Sequence, residues 1–226
     1  MRITGEIHQV GGGKLTAPED AAIYLINFQG HAALVDAGCG RAQPRLLDNI
    51  RACGVDPEQI EFLLLTHCHF DHTGGARALG ELLGCRIVAH ALEAPFLEHG
   101  HNAVTAAAWY GAILKPFAVD HQLSGAREEI SLGGRVIEAL HTPGHSPGAV
   151  CLYCPELGVL FSGDTLFSGG PGATGRSFSD FPTIVESIDM LITELPADTV
   201  VHTGHGDSTT LAAEAPHRQE WLDRGH

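Results

Sequence analysis

Apolar and polar positions along this chain fall into short alternating or continuous apolar runs, interleaved with stretches of helical period. Residues 22–26 (AIYLI) and 31–35 (HAALV) are predicted strands joined by a turn at Gln29-Gly30. Residues 45–53 place Leu46, Leu47 and Ile50 on one side of an amphipathic helix that stops at Gly54. The run 62–65 (FLLL) reads as a buried strand. Residues 71–83 carry helical spacing through Ala76, Leu79, Leu82 and Leu83 and end at Gly84, before a short strand at 86–89. Residues 91–117, rich in alanine and histidine, predict one or two helices. Strands return at 129–132, 135–140, 149–153 and 159–161; a helix covers 182–194, a last core strand 199–202 and a last helix 211–222. Both halves run strands first and helices after, which predicts an α/β fold of two sheets packed face to face with helices outside. No linker, low-complexity segment or fixed-period repeat divides the chain, so residues 1–226 are expected to form one domain with a helical insertion at about 91–117.

Composition adds exclusions. The chain has 226 residues, enough for one large domain or two small ones, and 44% of them are hydrophobic. A net charge of −14 argues against a nucleic-acid partner, because an acidic surface repels phosphate backbones. It does not exclude an anionic small substrate at a site with its own local positive charge. The first residues carry no apolar segment of signal type, and no run approaches the length of a membrane span, so a soluble cytoplasmic protein is expected. The six cysteines do not form a secreted disulfide framework. Cys151 and Cys154 make a CxxC, but in a strand residues three apart face opposite sides, so a structural role is expected. Cys68 alternates with His67 and His69 and reads as a buried thiol behind them.

The densest chemistry is Thr66-His67-Cys68-His69-Phe70-Asp71-His72, three imidazoles and a carboxylate on a strand-to-helix turn. Neutral imidazole and carboxylate are donors that zinc, iron and manganese accept. Three further strand ends offer such groups: His141-Thr142-Pro143-Gly144-His145-Ser146-Pro147-Gly148, then Ser162-Gly163-Asp164-Thr165-Leu166-Phe167, then His202-Thr203-Gly204-His205-Gly206-Asp207.

The order HxHxDH, TPGHSPG, GDTLF and GHG, with Val35-Asp36-Ala37-Gly38 ahead of them, resembles the metallo-β-lactamase superfamily from about residue 22 to about residue 217. The resemblance implies an αββα four-layer sandwich and two divalent metal ions, zinc foremost, with iron or manganese as alternatives. It implies that His67, His69 and His145 hold one ion and that Asp71, His72 and His205 hold the other. Asp164 then bridges the two, and Asp36 supports the ligands from behind. A hydroxide held between the metals would attack an acyl carbonyl, and Asp71 would take part in handling its proton.

Within the superfamily, flavodiiron proteins carry glutamate where His69 stands, and the most familiar β-lactamases carry cysteine where Asp164 stands. Gly163-Asp164-Thr165-Leu166-Phe167, Gly175-Arg176 and Gly204-His205-Gly206 with Thr209-Thr210 are similar to small bacterial members of the glyoxalase II group, which implies a binuclear hydrolase of thioesters such as S-lactoylglutathione. The longer enzymes of that group bind glutathione through a C-terminal helical extension, whereas this sequence ends about twenty residues after His205. Rival readings are a persulfide dioxygenase, which would hold one iron through His67, His145 and Asp164, a lactonase with residues 91–117 as its acyl pocket, and a silent metal-binding module. The implied partner is a small acyl substrate, and family members are commonly homodimers.

Arg176 could pair with a substrate carboxylate or form an ordinary salt bridge. Tyr110 and Lys115 could line a pocket, though core packing for Tyr110 and solvent for Lys115 are the expected readings. His99 and His101 read as surface residues, and His202 as buried or hydrogen-bonded behind the site. His8, His31, His90, His121, His141, His217 and His226 carry no expected role beyond surface or core.

Overall fold

A computed structural model describes residues 1–225; His226 lies outside the described residues. The chain forms two compact units, Met1–Leu123 with Ser131–Arg135, and Ser124–Ile130 with the residues from Val136 onward.

The first unit is built on a six-stranded mixed sheet, ordered β1 (Ile7–Gly11), β2 (Ile23–Phe28), β3 (His31–Val35), β4 (Ile60–Leu64), β5 (Arg86–His90) and β6 (His121–Leu123). The first three strands pair antiparallel, with β2 and β3 joined through the Gln29-Gly30 turn; β3 to β6 pair parallel. Parallel neighbours need crossovers, and helices supply two of them. Helix α1 (Gln43–Ala52), started by Pro44, links β3 to β4. Helices α2 (Phe70–Thr73) and α3 (Ala76–Leu83) link β4 to β5, and α3 closes on left-handed Gly84. Alternate strand residues Ile23, Leu25, Leu34, Leu63 and Ile87 pack in one core with Leu46 and Ile50 of α1 and Leu79 of α3. The central strands are buried on both faces, which is why they read as continuous apolar runs.

The second unit carries another six-stranded sheet, ordered β14 (Thr209–Thr210), β13 (Val200–Thr203), β10 (Val159–Gly163), β9 (Val150–Cys154), β8 (Arg135–His141) and β7 (Arg127–Leu132). β10 and β13 pair parallel, with α5 (Phe181–Glu194) crossing between them, while β8–β9, β9–β10 and β13–β14 pair antiparallel. Asp180 caps α5 by accepting the Thr183 N–H. Ile184, Ile188 and Leu191 of α5 pack with Leu160, Val201 and Trp221. A two-stranded ribbon, β11 (Leu166–Phe167) with β12 (Gly170–Pro171), follows β10.

Three predicted helices differ from those observed. The helix expected at 71–83 is broken between α2 and α3 at Gly74-Gly75. A Cβ at Gly75 would lie 2.4 Å from the Ala37 carbonyl oxygen, and one at Gly74 2.8 Å from that of Cys39. The loop after β3 therefore occupies the groove a continuous helix would fill. The helix expected at 211–222 is split by Pro216 into α6 (Leu211–Glu214), a 3₁₀ turn and α7 (Arg218–Arg224). In residues 91–117 helix is confined to α4 (Ala94–Glu98) and the 3₁₀ turn Ala107–Tyr110, because Gly100, Ala106 and Gly111 all take positive φ. The strands β1, β6 and β14 escape the sequence pattern, being short or polar.

None of the six cysteines forms a disulfide among the described residues, and Cys151 and Cys154 are both buried within β9. Burial pushes the Cys151 thiol up to about 11. Among the described residues no helix is long and apolar enough to cross a membrane.

The close approach at Gly75 gives a stability prediction. Gly75→Ala must displace backbone rather than a flexible side chain, so its unfolding free energy in urea should fall by about 1–3 kcal/mol. An unchanged midpoint would show that the Ala37 loop is not packed against this glycine.

Candidate functional site

In the first unit, β3 and β4 deliver Asp36 and Thr66 side by side. Asp36 takes a left-handed φ of 62°, which is uncommon outside glycine and turns its side chain back along the sheet edge. Its backbone N–H donates to the Leu64 carbonyl at 2.9 Å. Its carboxylate accepts the Thr66 N–H at 2.8 Å, the Thr66 hydroxyl at 2.8 Å and His72 Nδ1 at 2.7 Å. This network assigns the tautomers. With Nδ1–H committed to Asp36, the lone pair of neutral His72 lies on Nε2. Thr66 spends its proton on Asp36, so its oxygen accepts from His67 Nδ1–H at 3.1 Å. The His67 lone pair is therefore also on Nε2, and that atom meets His69 Nδ1 at 2.9 Å.

The turn stacks these rings tightly. His67 and His69 stand edge to face at 87° with centroids 4.6 Å apart, and His67 lies 4.1 Å from His72. Asp71 Oδ2 is 3.9 Å from His72 Nε2. All four candidate ligands are buried. Helix α2 begins immediately after His69, and Thr73 closes its single turn by donating its hydroxyl to the His69 carbonyl.

In the second unit, the loop after β8 carries His145. Gly144 makes that loop possible. It has φ 129°, and a Cβ there would lie 2.3 Å from the Ile184 nitrogen at the start of α5. His145 Nδ1 donates to the Ala173 carbonyl at 2.8 Å, which again puts the lone pair on Nε2. That Nε2 lies 3.5 Å from Asp164 Oδ2, and His205 Nε2 lies 3.8 Å from the same oxygen. Asp164 follows β10, and its carbonyl is approached so closely by Gly172 that a Cβ there would sit 1.7 Å away. His205 follows β13; its carbonyl accepts the Thr203 hydroxyl at 2.7 Å, and its ring is exposed.

The donor chemistry fits divalent metal. Nitrogen donors about 2.0–2.1 Å from one tetrahedral zinc lie roughly 3.3 Å apart. The separations within each unit, 2.9 Å for His67 to His69 and 3.5 Å for His145 to Asp164, bracket that spacing. In the second pair an imidazole lone pair faces a carboxylate oxygen, two electron-pair donors that a cation accommodates.

The other predicted residues take the following places. Tyr110 is half-buried with its ring 5.7 Å from Phe70, and its carbonyl accepts from Arg41, so it packs as expected. Lys115 is exposed. Arg176 is half-buried on a loop shaped by the Ser179 hydroxyl, which accepts the Gly175 and Arg176 N–H groups. His99 and His101 are exposed. His202 is buried, its Nδ1 is 2.7 Å from Ser208 Oγ, and burial lowers its pKa. The sequence pattern missed two buried acids that brace the first unit. Asp20 accepts the Cys39 N–H at 2.7 Å and the Thr16 hydroxyl at 2.6 Å. Glu93 accepts the Cys68 N–H at 2.8 Å. The one available signal for Glu93 was a single acid within the apolar stretch His90 to Leu97.

Comparison with known proteins gives one consistent answer. The family model described as metallo-beta-lactamase superfamily matches residues 17–205. The chain is 34% identical over 201 residues to hydroxyacylglutathione hydrolase GloC of Haemophilus influenzae, covering 88% of this chain and 92% of that protein. It is 35% identical over 198 residues to the probable metallo-hydrolase YqgX of Bacillus subtilis, covering 87% and 90%. Among solved structures, BLEG-1 B3 metallo-beta-lactamase superposes with a TM-score of 0.81 at 30% identity, over 94% of this chain and 97% of that one. TTHA1623 in a di-iron-bound form gives 0.74 at 34% identity, over 88% and 94%. The α/β sandwich fold expected from the motifs is the fold these neighbours share. On the extent of these matches, the chain belongs to the metallo-β-lactamase superfamily.

Proposed function

We propose that this protein is a metal-dependent hydrolase that cleaves an acyl thioester of the hydroxyacylglutathione type. The observation that carries the reading is the set of clustered donors, His67, His69, Asp71 and His72 in one unit and His145, Asp164 and His205 in the other, with the tautomers of His67, His72 and His145 fixed by hydrogen bonds. Relatives named hydroxyacylglutathione hydrolase support the thioester, at 34% identity in Haemophilus influenzae and 32% in Aeromonas hydrophila.

In this reading His67, His69 and His145 serve one cation, Asp71, His72 and His205 a second, and Asp164 both. Zinc is the foremost candidate, and the di-iron form of one relative supports iron as the alternative. Bound divalent cations supply a Lewis acid for the acyl oxygen and lower the pKa of a coordinated water. The chain's own residues do the rest. Asp36 fixes the tautomer and aim of the His72 ring through its Nδ1–H, and the Ala173 carbonyl does the same for His145. Asp71 and Asp164 offset the cationic charge so that a nucleophilic oxygen stays basic. Asp71 Oδ2 is assigned the proton released on attack.

A second reading, hydrolysis of a β-lactam amide, is favoured by the structural match to a B3 metallo-β-lactamase. The thioester leaving group is the weaker base and leaves without protonation. S-Lactoylglutathione should therefore give a higher kcat/KM than nitrocefin in a spectrophotometric comparison. The reverse order would replace the first reading with the second.

Elemental analysis of protein purified without added metal should find about two zinc, iron or manganese ions per chain. One iron per chain with oxygen uptake on glutathione persulfide would instead establish a dioxygenase. Asp164→Ala should lower metal content and reduce kcat by about three decades, on the order of 4 kcal/mol. Full turnover with both ions retained in that variant would remove Asp164 from the site.

A further inference from the structure

Glu93 is a carboxylate with 0% of its surface exposed, and the chemistry above makes no use of it. It stands three residues beyond the end of β5, and its backbone heads the short helix α4, whose first turns donate to its carbonyl. A side-chain oxygen at that position can cap the helix. Glu93 makes no such bond. It turns back and accepts the Cys68 N–H at 2.8 Å.

Cys68 is the residue between His67 and His69. The peptides on both sides of it are held: Glu93 takes the N–H of the 67–68 peptide, and the Thr73 hydroxyl donates at 3.2 Å to the carbonyl of the 68–69 peptide. The groups on either side are held as well. Thr66 is bound to Asp36, and the Phe70 N–H donates to the Thr105 carbonyl at 2.8 Å. Asp36 and Thr105 fix the two ends of the turn, while Glu93 fixes its middle. A shift of either peptide would alter the relative placement of the His67 and His69 side chains. That would open or close the 2.9 Å approach of their donor nitrogens.

We propose that Glu93 is a positioning residue of the metal-binding turn, holding the Cys68 peptide so that His67 and His69 present their nitrogens to one cation. This rests on the metal-hydrolase reading. Cys68 suits the place because it is small and fully buried. The requirement is one of reach and acceptance, because an amide oxygen could accept the same N–H whereas a carboxylate one methylene shorter could not.

The test uses the full-length protein stripped of metal. Zinc affinity is measured by chelator competition, the electronic spectrum is recorded after cobalt loading, and urea unfolding of the metal-free form is followed in parallel. Glu93→Gln should bind zinc with close to wild-type affinity and an unchanged cobalt spectrum. Glu93→Asp and Glu93→Ala should lose about 10–100-fold in zinc affinity and shift the cobalt bands. If Glu93→Ala fails to fold, the Gln and Asp variants carry the comparison alone. Wild-type affinity and spectrum in Glu93→Asp, with only a lower urea midpoint, would overturn the proposal and leave Glu93 a purely structural residue. Loss in Glu93→Gln equal to that in Glu93→Asp would also overturn it. Wild-type protein that takes up no zinc or cobalt would remove the metal-hydrolase reading itself, a result separable from either of these.

Discussion

One carboxylate joins the fold of the first unit to its chemistry. Asp36 ends β3 in a left-handed conformation and accepts from Thr66 twice and from His72 once. The strained φ is offset by these buried bonds, each stronger than a neutral pair because the acceptor is charged. Removing the carboxylate would free the end of β4, the His72 tautomer and, through Thr66, the His67 tautomer together. The parallel pairing of β3 with β4 is what makes the geometry possible, since it brings both strand ends to the same edge.

Close backbone approach is the second constraint. Gly74 and Gly75 admit the loop after β3, and the Gly75 N–H donates to the Gly38 carbonyl at 2.9 Å. The Ala37 N–H in turn donates to the His72 carbonyl at 2.7 Å, so the same loop that carries Asp36 also clamps the backbone of the turn. Gly144 against α5 and Gly172 against Asp164 play the matching parts in the second unit. These glycines serve proximity as well as flexibility. Gly74, Gly75 and Gly172 have ordinary φ, yet each would collide with backbone if it carried a side chain.

This explains what could be read from the sequence and what could not. Strands buried on both faces are visible as apolar runs, so β2 to β5, β9, β10 and β13 were legible, as were α1 and α5 with their Pro and Asp starts. The break at Gly74-Gly75 was not, because the helical spacing continues through it and the cause lies in a loop more than thirty residues away. Pro216 was a local signal that should have divided the last helix. For the site, ligand types clustered at strand ends were legible because imidazole and carboxylate at glycine-rich turns are unusual on any other account. Asp20 and Glu93 were not legible. A buried acid that accepts backbone N–H groups leaves no periodic trace, and each acts on a residue 19 or 25 positions away.

The buried charge is one-sided. Asp20, Asp36, Asp71, Glu93 and Glu214 are buried, and no lysine or arginine is buried among the described residues. Asp20 accepts from Cys39 and Thr16, Asp36 from Thr66 and His72, Glu93 from Cys68, and Glu214 from Gly169 and Thr209. Asp71 and the part-buried Asp164 lie beside imidazole. Each faces an imidazole Nε2, at 3.9 Å from His72 and 3.5 Å from His145, and in both rings the Nδ1 proton is already given, to Asp36 and to Ala173. Lone pair then meets carboxylate, an arrangement that a protonated ring or a bound cation relieves. A divalent cation would meet the imidazole lone pair and the carboxylate oxygen of each pair at once. Within each unit, the donors that face one another in this way are the ones the proposed metal reading uses.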